Sequence, residues 1–487
     1  MPKPLLPHPQ KVPASQWVEL DGRYLLTNDW GHHLFLKPAQ FRRWLAGKIT
    51  PADPAYPRLQ AGGFIRDNMD FETLSQDWKR RHGFLWQGPS LHILVLTERC
   101  NHKCLYCQSA AVGAKARGAD MDLRTAKASV DMAFRSPSPT LTLEFQGGEP
   151  LMNWPVLRAT VEYARKRNLK EKKDLRIGLV SNFSLMDDEK VRFFEDNAVS
   201  LCTSLDGPAE VHNKNRFYSG GNSHAQTVRW IKEISRRAER HSAQDQRAFR
   251  VNALLTVTRL SLSHPKEIVD EYARLKLESV FLRPLSPLGY ARRAWDRVGY
   301  TSAEFAAFYA GALDRILEVN RRGTPLVEKT AAILLHKIIG GTDPGYLDLR
   351  SPCGASVGQL AYNYDGDVYT CDEGRMISYD GDTFFRVGNV FRDGYDDLVG
   401  SGATKACCAS SNLEQQPACF RCAFRPWCGV CPAYNYQAQG GLWGSMPSND
   451  RCGMMKGLFA SVFRRLERPA DAKVFRSWLK TAEEADA

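Results

Sequence analysis

The stretch "LHILVLTERCNHKCLYC", residues 91–107, joins an apolar run to three closely spaced cysteines. The run over 91–97 has the length and aliphatic content of a buried strand. The polar loop after it carries Cys100, Cys104 and Cys107 in the spacing C-x3-C-x2-C. Three thiols leave one over in disulfide pairing, and a closed zinc site takes four ligands. The spacing does let one loop wrap a cube of iron and sulfide, with three irons on thiolate and the fourth left for an outside ligand. Zinc held by three thiolates and a water is the competing reading. Structural zinc usually presents paired C-x2-C knuckles, and nothing nearby completes a second one.

Outward from this stretch, strand-like runs recur at 140–145, 175–181, 199–205, 249–258 and 279–283, with helical stretches between them. In "DLRTAKASVDMAFR", Leu123, Ala126, Val130 and Ala133 fall on one helical face. Strand-then-helix units in succession imply parallel strands joined by right-handed crossovers. Six such units are two short of a full eight-fold barrel. The expected fold class is α/β: an open, partial (β/α)6 TIM-type barrel over 89–345, its active edge where strands end and loops begin.

At 487 residues the chain exceeds one ordinary core. Residues 1–88 read as a separate N-terminal module. In it "GRYLLT" and "HHLFLK" flank the turn "NDWG", and a helix enters at Pro38 and stops at Gly47. A strand hairpin followed by a short helix suits a winged-helix-like module. Residues 346–455 are loop-rich, and residues 351–455 hold nine of the 13 cysteines, so metal is the expected tertiary glue. Residues 456–487 read as a helix, "LFASVFRRLE", and a short polar end. Lys plus Arg minus Asp plus Glu is 66 − 54, or +12. The basic residues lie in short runs, mostly solvated helix faces, with no aromatic interleaving that would point to nucleic acid. No signal-peptide core or membrane-length apolar run is present, so the expected location is cytoplasmic, with thiols serving metal or chemistry.

Further motifs stand at the expected strand ends. "EFQGGEPLMN" puts Gly147, Gly148, Glu149 and Pro150 after the second strand, "GLVSNFSLM" puts Ser181 and Asn182 after the third, and "SLDGPAEVHNKNR" puts Ser204, Asp206 and Arg216 after the fourth. With "CNHKCLYC", including Tyr106 before the third cysteine, this series resembles the radical S-adenosylmethionine (radical SAM) family. The resemblance implies one [4Fe–4S] cluster on Cys100, Cys104 and Cys107, with SAM bound by its free iron. It assigns the methionine amine to Gly147, Gly148 and Glu149, the ribose to Ser181 and Asn182, and the methionine carboxylate to Arg216. Tyr106, Ser204 and Asp206 complete the cofactor-binding set.

The later cysteines continue the resemblance. Cys353, "YNYDGDVYTC" ending at Cys371, "CFRCAFRPWCGVC" from Cys419 to Cys431, and Cys452 are similar to the seven-cysteine SPASM domain. The family usually has three residues between its fifth and sixth cysteines, whereas Cys428 and Cys431 are separated by two. By this resemblance Cys419, Cys422, Cys428 and Cys452 ligate one auxiliary [4Fe–4S] cluster. Cys353, Cys371 and Cys431 hold a second through three thiolates, and zinc is the alternative for both. Cys407 and Cys408 fit no family position; they could provide a fourth ligand, with idle thiols the preferred reading, and Cys202 reads as core packing. Asp372, beside Cys371, is the candidate catalytic proton acceptor, with a loop salt bridge to Arg375 as the plain alternative.

The phrases "GRYLLTNDWGHHLFL", "FRSPSPTLTLEFQGGEPL", "FLRPLSPLGYARR" and "YNYDGDVYTCDEGRM" are similar to the His-Xaa-Ser system radical SAM maturases. That branch implies a ribosomally made precursor peptide as substrate and a leader bound by the N-terminal module. It also implies an electron donor such as flavodoxin or ferredoxin, and a side-chain cross-link, with a cyclophane-type carbon–carbon bond favoured. The alternatives are an anaerobic sulfatase-maturing (formylglycine-generating) enzyme and a non-catalytic iron–sulfur electron carrier.

Overall fold

The structure, a computed structural model, describes residues 6–67, 69–241 and 251–486. Six strands form its centre: Leu91–Thr97, Thr140–Gly147, Asp174–Ser181, Val199–Ser204, Val251–Thr256, and a sixth in two pieces, Ser279–Val280 and Leu282–Arg283. They pair side by side in chain order, every pair parallel. This is the partial barrel expected; positions 249 and 250 lie outside the described residues. The first strand is buried along nearly its whole length, as a parallel strand covered on both faces must be. The second alternates: Leu141, Leu143 and Phe145 pack into the apolar core, while Glu144 and Gln146 face the lumen. In the helix Leu123–Phe134, Ala126, Val130 and Ala133 are fully buried, but Leu123, at its first turn, is exposed.

The sheet does not stop at the barrel. Gln359–Tyr362 adds parallel to the first strand, with Gln359 opposite Leu91 and Tyr362 opposite Leu94. Asp367–Tyr369 and Arg386–Asn389 follow antiparallel, making nine strands in one sheet. The division drawn at 345 is therefore crossed by backbone hydrogen bonds. His92 of the first strand bonds Tyr362 at 2.9 Å across this seam, and burial lowers its pKa to about 4, so it stays neutral.

The N-terminal module is a three-stranded antiparallel sheet, Gln16–Leu20, Arg23–Thr27 and His33–Leu36, followed by the helix Pro38–Leu45. The strand Gln16–Leu20 is an addition to the hairpin expected from sequence. Gly47 ends the helix at a φ of 64°, a conformation that suits a residue without a side chain. Tyr24 stacks on Phe41 at 3.8 Å, and the buried Trp44 donates its indole N–H to the Phe64 carbonyl at 2.8 Å. The module leans on later parts of the chain. His33 and Phe35 meet Phe463, Arg81 lies over Trp427, and Asp29 pairs with Arg425.

The C-terminus corrects the expectation of a short polar end. One helix runs Asp450–Leu466, starting early enough to hold Cys452 in its first turn, and a second runs Pro469–Asp486. Phe475 and Trp478 bury themselves from this second helix, an amphipathic pattern hidden behind its charged residues. Among the described residues no helix is long and apolar enough to cross a membrane. Replacing Trp44 by Ala should cost the N-terminal module about 3–5 kcal/mol. Amide exchange over residues 16–65 should accelerate while that of the first barrel strand stays unchanged.

Candidate active site

The six strands are too few to fill their own lumen with side chains, and a cavity of about 1060 Å³ remains. Cys100, Cys104, Tyr106 and Cys107 line it from the loop after the first strand. Gly147, Gly148, Ser181, Asn182, Ser204 and Arg216 line it from the next three strand ends. Asp372 and Glu373 face it from the cysteine-rich region. Two of the predicted cofactor-binding residues stand elsewhere: Glu149 and Asp206 are fully buried behind the wall.

The two glycines hold the cysteine loop. A Cβ on Gly147 would lie 2.1 Å from the Thr97 carbonyl oxygen, and one on Gly148 would lie 2.3 Å from that of Arg99. Gly148 and Glu149 donate their backbone N–H groups to those same carbonyls, each at 2.8 Å. The close approach is thus made to the chain's own backbone. The Glu149 carboxylate accepts from Leu151 N at 3.0 Å, Ser181 Oγ at 2.8 Å and Asn182 N at 2.8 Å. The candidate ammonium acceptor is thus fully buried and already takes three hydrogen bonds from the chain itself. Asn182 is also committed. Its amide nitrogen bonds Asn101 Oδ1 at 3.0 Å and lies 3.0 Å from His102 Nδ1, and its oxygen accepts from Ser184.

Tyr106, Asp206 and Arg216 form a second brace. The Tyr106 hydroxyl donates to Asp206 at 2.9 Å and accepts from Arg216 at 2.6 Å. Arg216 also sits opposite Cys104 in a short antiparallel ladder, so the cysteine loop is paired to the segment after the fourth strand. Burial pushes the Asp206 carboxyl up to about 6 against the pull of Arg216. Asp206 therefore supports the site from behind rather than facing the cavity. Burial also pushes the Cys100 and Cys104 thiols up to about 12, so they keep their protons until a cation displaces them.

On the opposite wall, Asp372 forms the salt bridge with Arg375 weighed above, at 2.6 Å, while Glu373 pairs with Arg283 at 3.1 Å. Burial, with Asp348 nearby, pushes the Glu373 carboxyl up. Below them Cys353, Cys371 and Cys431 share one buried apolar cluster, which also contains Cys407. The shortened spacing before Cys431 still delivers it to this group. Cys419, Cys422, Cys428 and Cys452, with Cys431 on a shared wall, line a small second cavity. Among the described residues no three His, Cys, Asp or Glu side chains are close enough to hold a single metal ion. Zinc needs its thiolates about 2.3 Å from one point.

Sequence reasoning missed Glu144, Gln146 and Arg283, which line the lumen, and it placed Cys202 in the core although Cys202 lines the lumen too. The alternation of "TLTLEFQ" carried the signal for the first two. Gly148→Ala should push the Arg99 carbonyl aside at a cost of about 1–3 kcal/mol. Faster amide exchange over residues 97–107 would register it.

Residues 94–243 match the Radical SAM superfamily. The cysteine-type anaerobic sulfatase-maturating enzyme of Clostridium perfringens is 25% identical over 295 residues, 58% of this chain and 75% of that protein. The structure of native anSMEcpe with bound AdoMet superposes with a TM-score of 0.64 at 20% identity, covering 78% of this chain and 99% of that one. Streptococcus suis SuiB bound to precursor peptide SuiA gives 0.53 at 13% identity, covering 91% and 100%. At those identities the two structures establish a common fold. The matched span begins inside the first barrel strand and takes in every strand end that borders the cysteine loop; residues 94–243 of this chain form a Radical SAM domain.

Proposed function

We propose that this protein is a radical SAM enzyme of the cytoplasm that modifies a ribosomally made precursor peptide, forming an intramolecular side-chain cross-link, with a carbon–carbon bond of the cyclophane type favoured. The observation that carries the reading is one cavity bordered by the three-cysteine loop on one wall and by Asp372, next to the second cysteine field, on the other. The structure of native anSMEcpe with bound AdoMet and Cp18Cys peptide and that of SuiB bound to precursor peptide SuiA support a peptide as the occupant. The four sequence phrases shared with the His-Xaa-Ser maturases support the branch.

Cys100, Cys104 and Cys107 would hold one [4Fe–4S] cluster, with the fourth iron left for SAM. Cys419, Cys422, Cys428 and Cys452 would hold a first auxiliary cluster, and Cys353, Cys371 and Cys431 would contribute to a second. When bound, cluster and SAM together supply a 5′-deoxyadenosyl radical that takes hydrogen from an unactivated C–H bond. The chain's own work is placement. Arg216 presents a guanidinium suited to the SAM carboxylate, held by the Tyr106 hydroxyl. Gly147, Gly148, Ser181, Asn182 and Ser204 shape the wall beside it. Glu144 and the Arg283–Glu373 pair offer polar contacts along the lumen to a peptide backbone. Asp372 would accept the proton that leaves when the substrate closes its new bond. An outside donor such as flavodoxin or ferredoxin would supply electrons.

The N-terminal module, read as winged-helix-like, would bind the leader peptide by strand addition. Its sheet leaves Gln16–Leu20 at one edge, whereas His33–Leu36, at the other, is packed against Phe463 through His33 and Phe35.

The anaerobically reconstituted, dithionite-reduced protein should cleave SAM to 5′-deoxyadenosine, which an electron carrier would not do. Tandem mass spectrometry of a co-expressed precursor peptide should show loss of two hydrogens with every heteroatom retained. Loss of sulfur from a cysteine would instead identify formylglycine formation. Asp372→Asn should leave SAM cleavage intact and lower cross-linked product by about 10²–10⁴-fold. Undiminished product would leave Asp372 a partner of Arg375 and nothing more.

A further inference from the structure

Cys407 lies in the helix Gly402–Ser411, away from every position where spacing predicts a ligand. Its side chain is 1% exposed, against 4% for Cys353 and 5% for Cys371. Cys353, Cys371, Cys407 and Cys431 arrive from four separate segments into the same buried cluster. The Thr370 hydroxyl donates to Cys371 Sγ at 3.7 Å. The backbone ties the helix to the trio as well. Cys353 N donates to Ser411 Oγ at 2.9 Å, and that hydroxyl donates to the Cys407 carbonyl at 2.6 Å. Cys408, about 100° further round the helix, is partly exposed and lies outside the cluster.

We infer that Cys407 is an iron ligand, completing with Cys353, Cys371 and Cys431 a four-thiolate site for the second auxiliary cluster. The inference rests on the iron–sulfur reading above. Binding exchanges the thiol proton, released to solvent, for an iron–sulfur bond, with no change of oxidation state. An idle buried cysteine behaves as a small apolar residue; here Cys407 shares its buried cluster with three further cysteines drawn from separate segments. The consequence is chemical: an auxiliary cluster ligated by four cysteines can exchange electrons but offers no iron to the peptide.

The test uses the full-length chain with Cys100, Cys104 and Cys107 all changed to Ala, so that only auxiliary clusters remain. After anaerobic reconstitution this parent should bind about eight irons, four per cluster. Mild ferricyanide oxidation should leave it without the EPR signal of a three-iron cluster, since each iron is held by a thiolate. Cys407→Ala should then give that signal, or lose one to four irons, while Cys408→Ala behaves as the parent. Cys407→Ser, which keeps an oxygen ligand, should retain all irons with a shifted reduction potential. A three-iron signal from the parent itself, or a Cys407→Ala protein indistinguishable from it, overturns the assignment. A parent with about four irons that Cys371→Ala does not lower would overturn the underlying cluster reading instead.

Discussion

The buried carboxylate of Glu149 is the interaction on which the site depends. It follows the second strand, fixes the residues that end the third, and its backbone N–H grips the loop that leaves the first. A charge with no access to water is tolerable only when hydrogen bonds replace its solvation. Once it is in place it takes all three donors, and leaving any of them bare costs about 1–3 kcal/mol. Three strand ends that would otherwise carry independent loops become one rigid rim. The glycines beside it serve the same end, since any side chain there would force the cysteine loop off the rim.

A second constraint joins the two cysteine fields. The strand Gln359–Tyr362 extends the barrel sheet, and the chain then turns back through Asp367–Tyr369 to reach Cys371 and Asp372. The catalytic candidate on the far wall is positioned by the same ladder of backbone bonds that begins at the cysteine loop. Side chains from Arg283 to Glu373 and from Asp372 to Arg375 then close the wall. Distances across the cavity are consequently set by sheet geometry, which is stiffer than a linker between separate units.

Much of the barrel was legible in the sequence because parallel strands buried on both faces leave apolar runs or strict alternation, as in "LHILVL" and "TLTLEFQ". The cysteine loop was legible because three ligands within one loop must obey a short spacing. Glu149 and Asp206 were found for the right neighbourhood, but spacing says which residues arrive at a rim and not that a carboxylate turns into the wall behind it. The strand Gln359–Tyr362 was missed because four residues carry no periodicity, and its partner is distant in sequence. The C-terminal helix was missed because two buried aromatics are outnumbered by its charges. Cys407 belongs to neither class. It reaches its neighbours by tertiary packing alone, and no local pattern announces that.

The continuity of the nine-stranded sheet also limits how the chain can be dissected. Cutting after residue 345 would strip Gln359–Tyr362 from the Leu91–Thr97 strand and leave its backbone donors and acceptors bare beside an apolar surface. Such an open border recruits any extended chain it meets. The barrel on its own would be a sticky fragment, and the cysteine-rich segment is in that sense its missing wall.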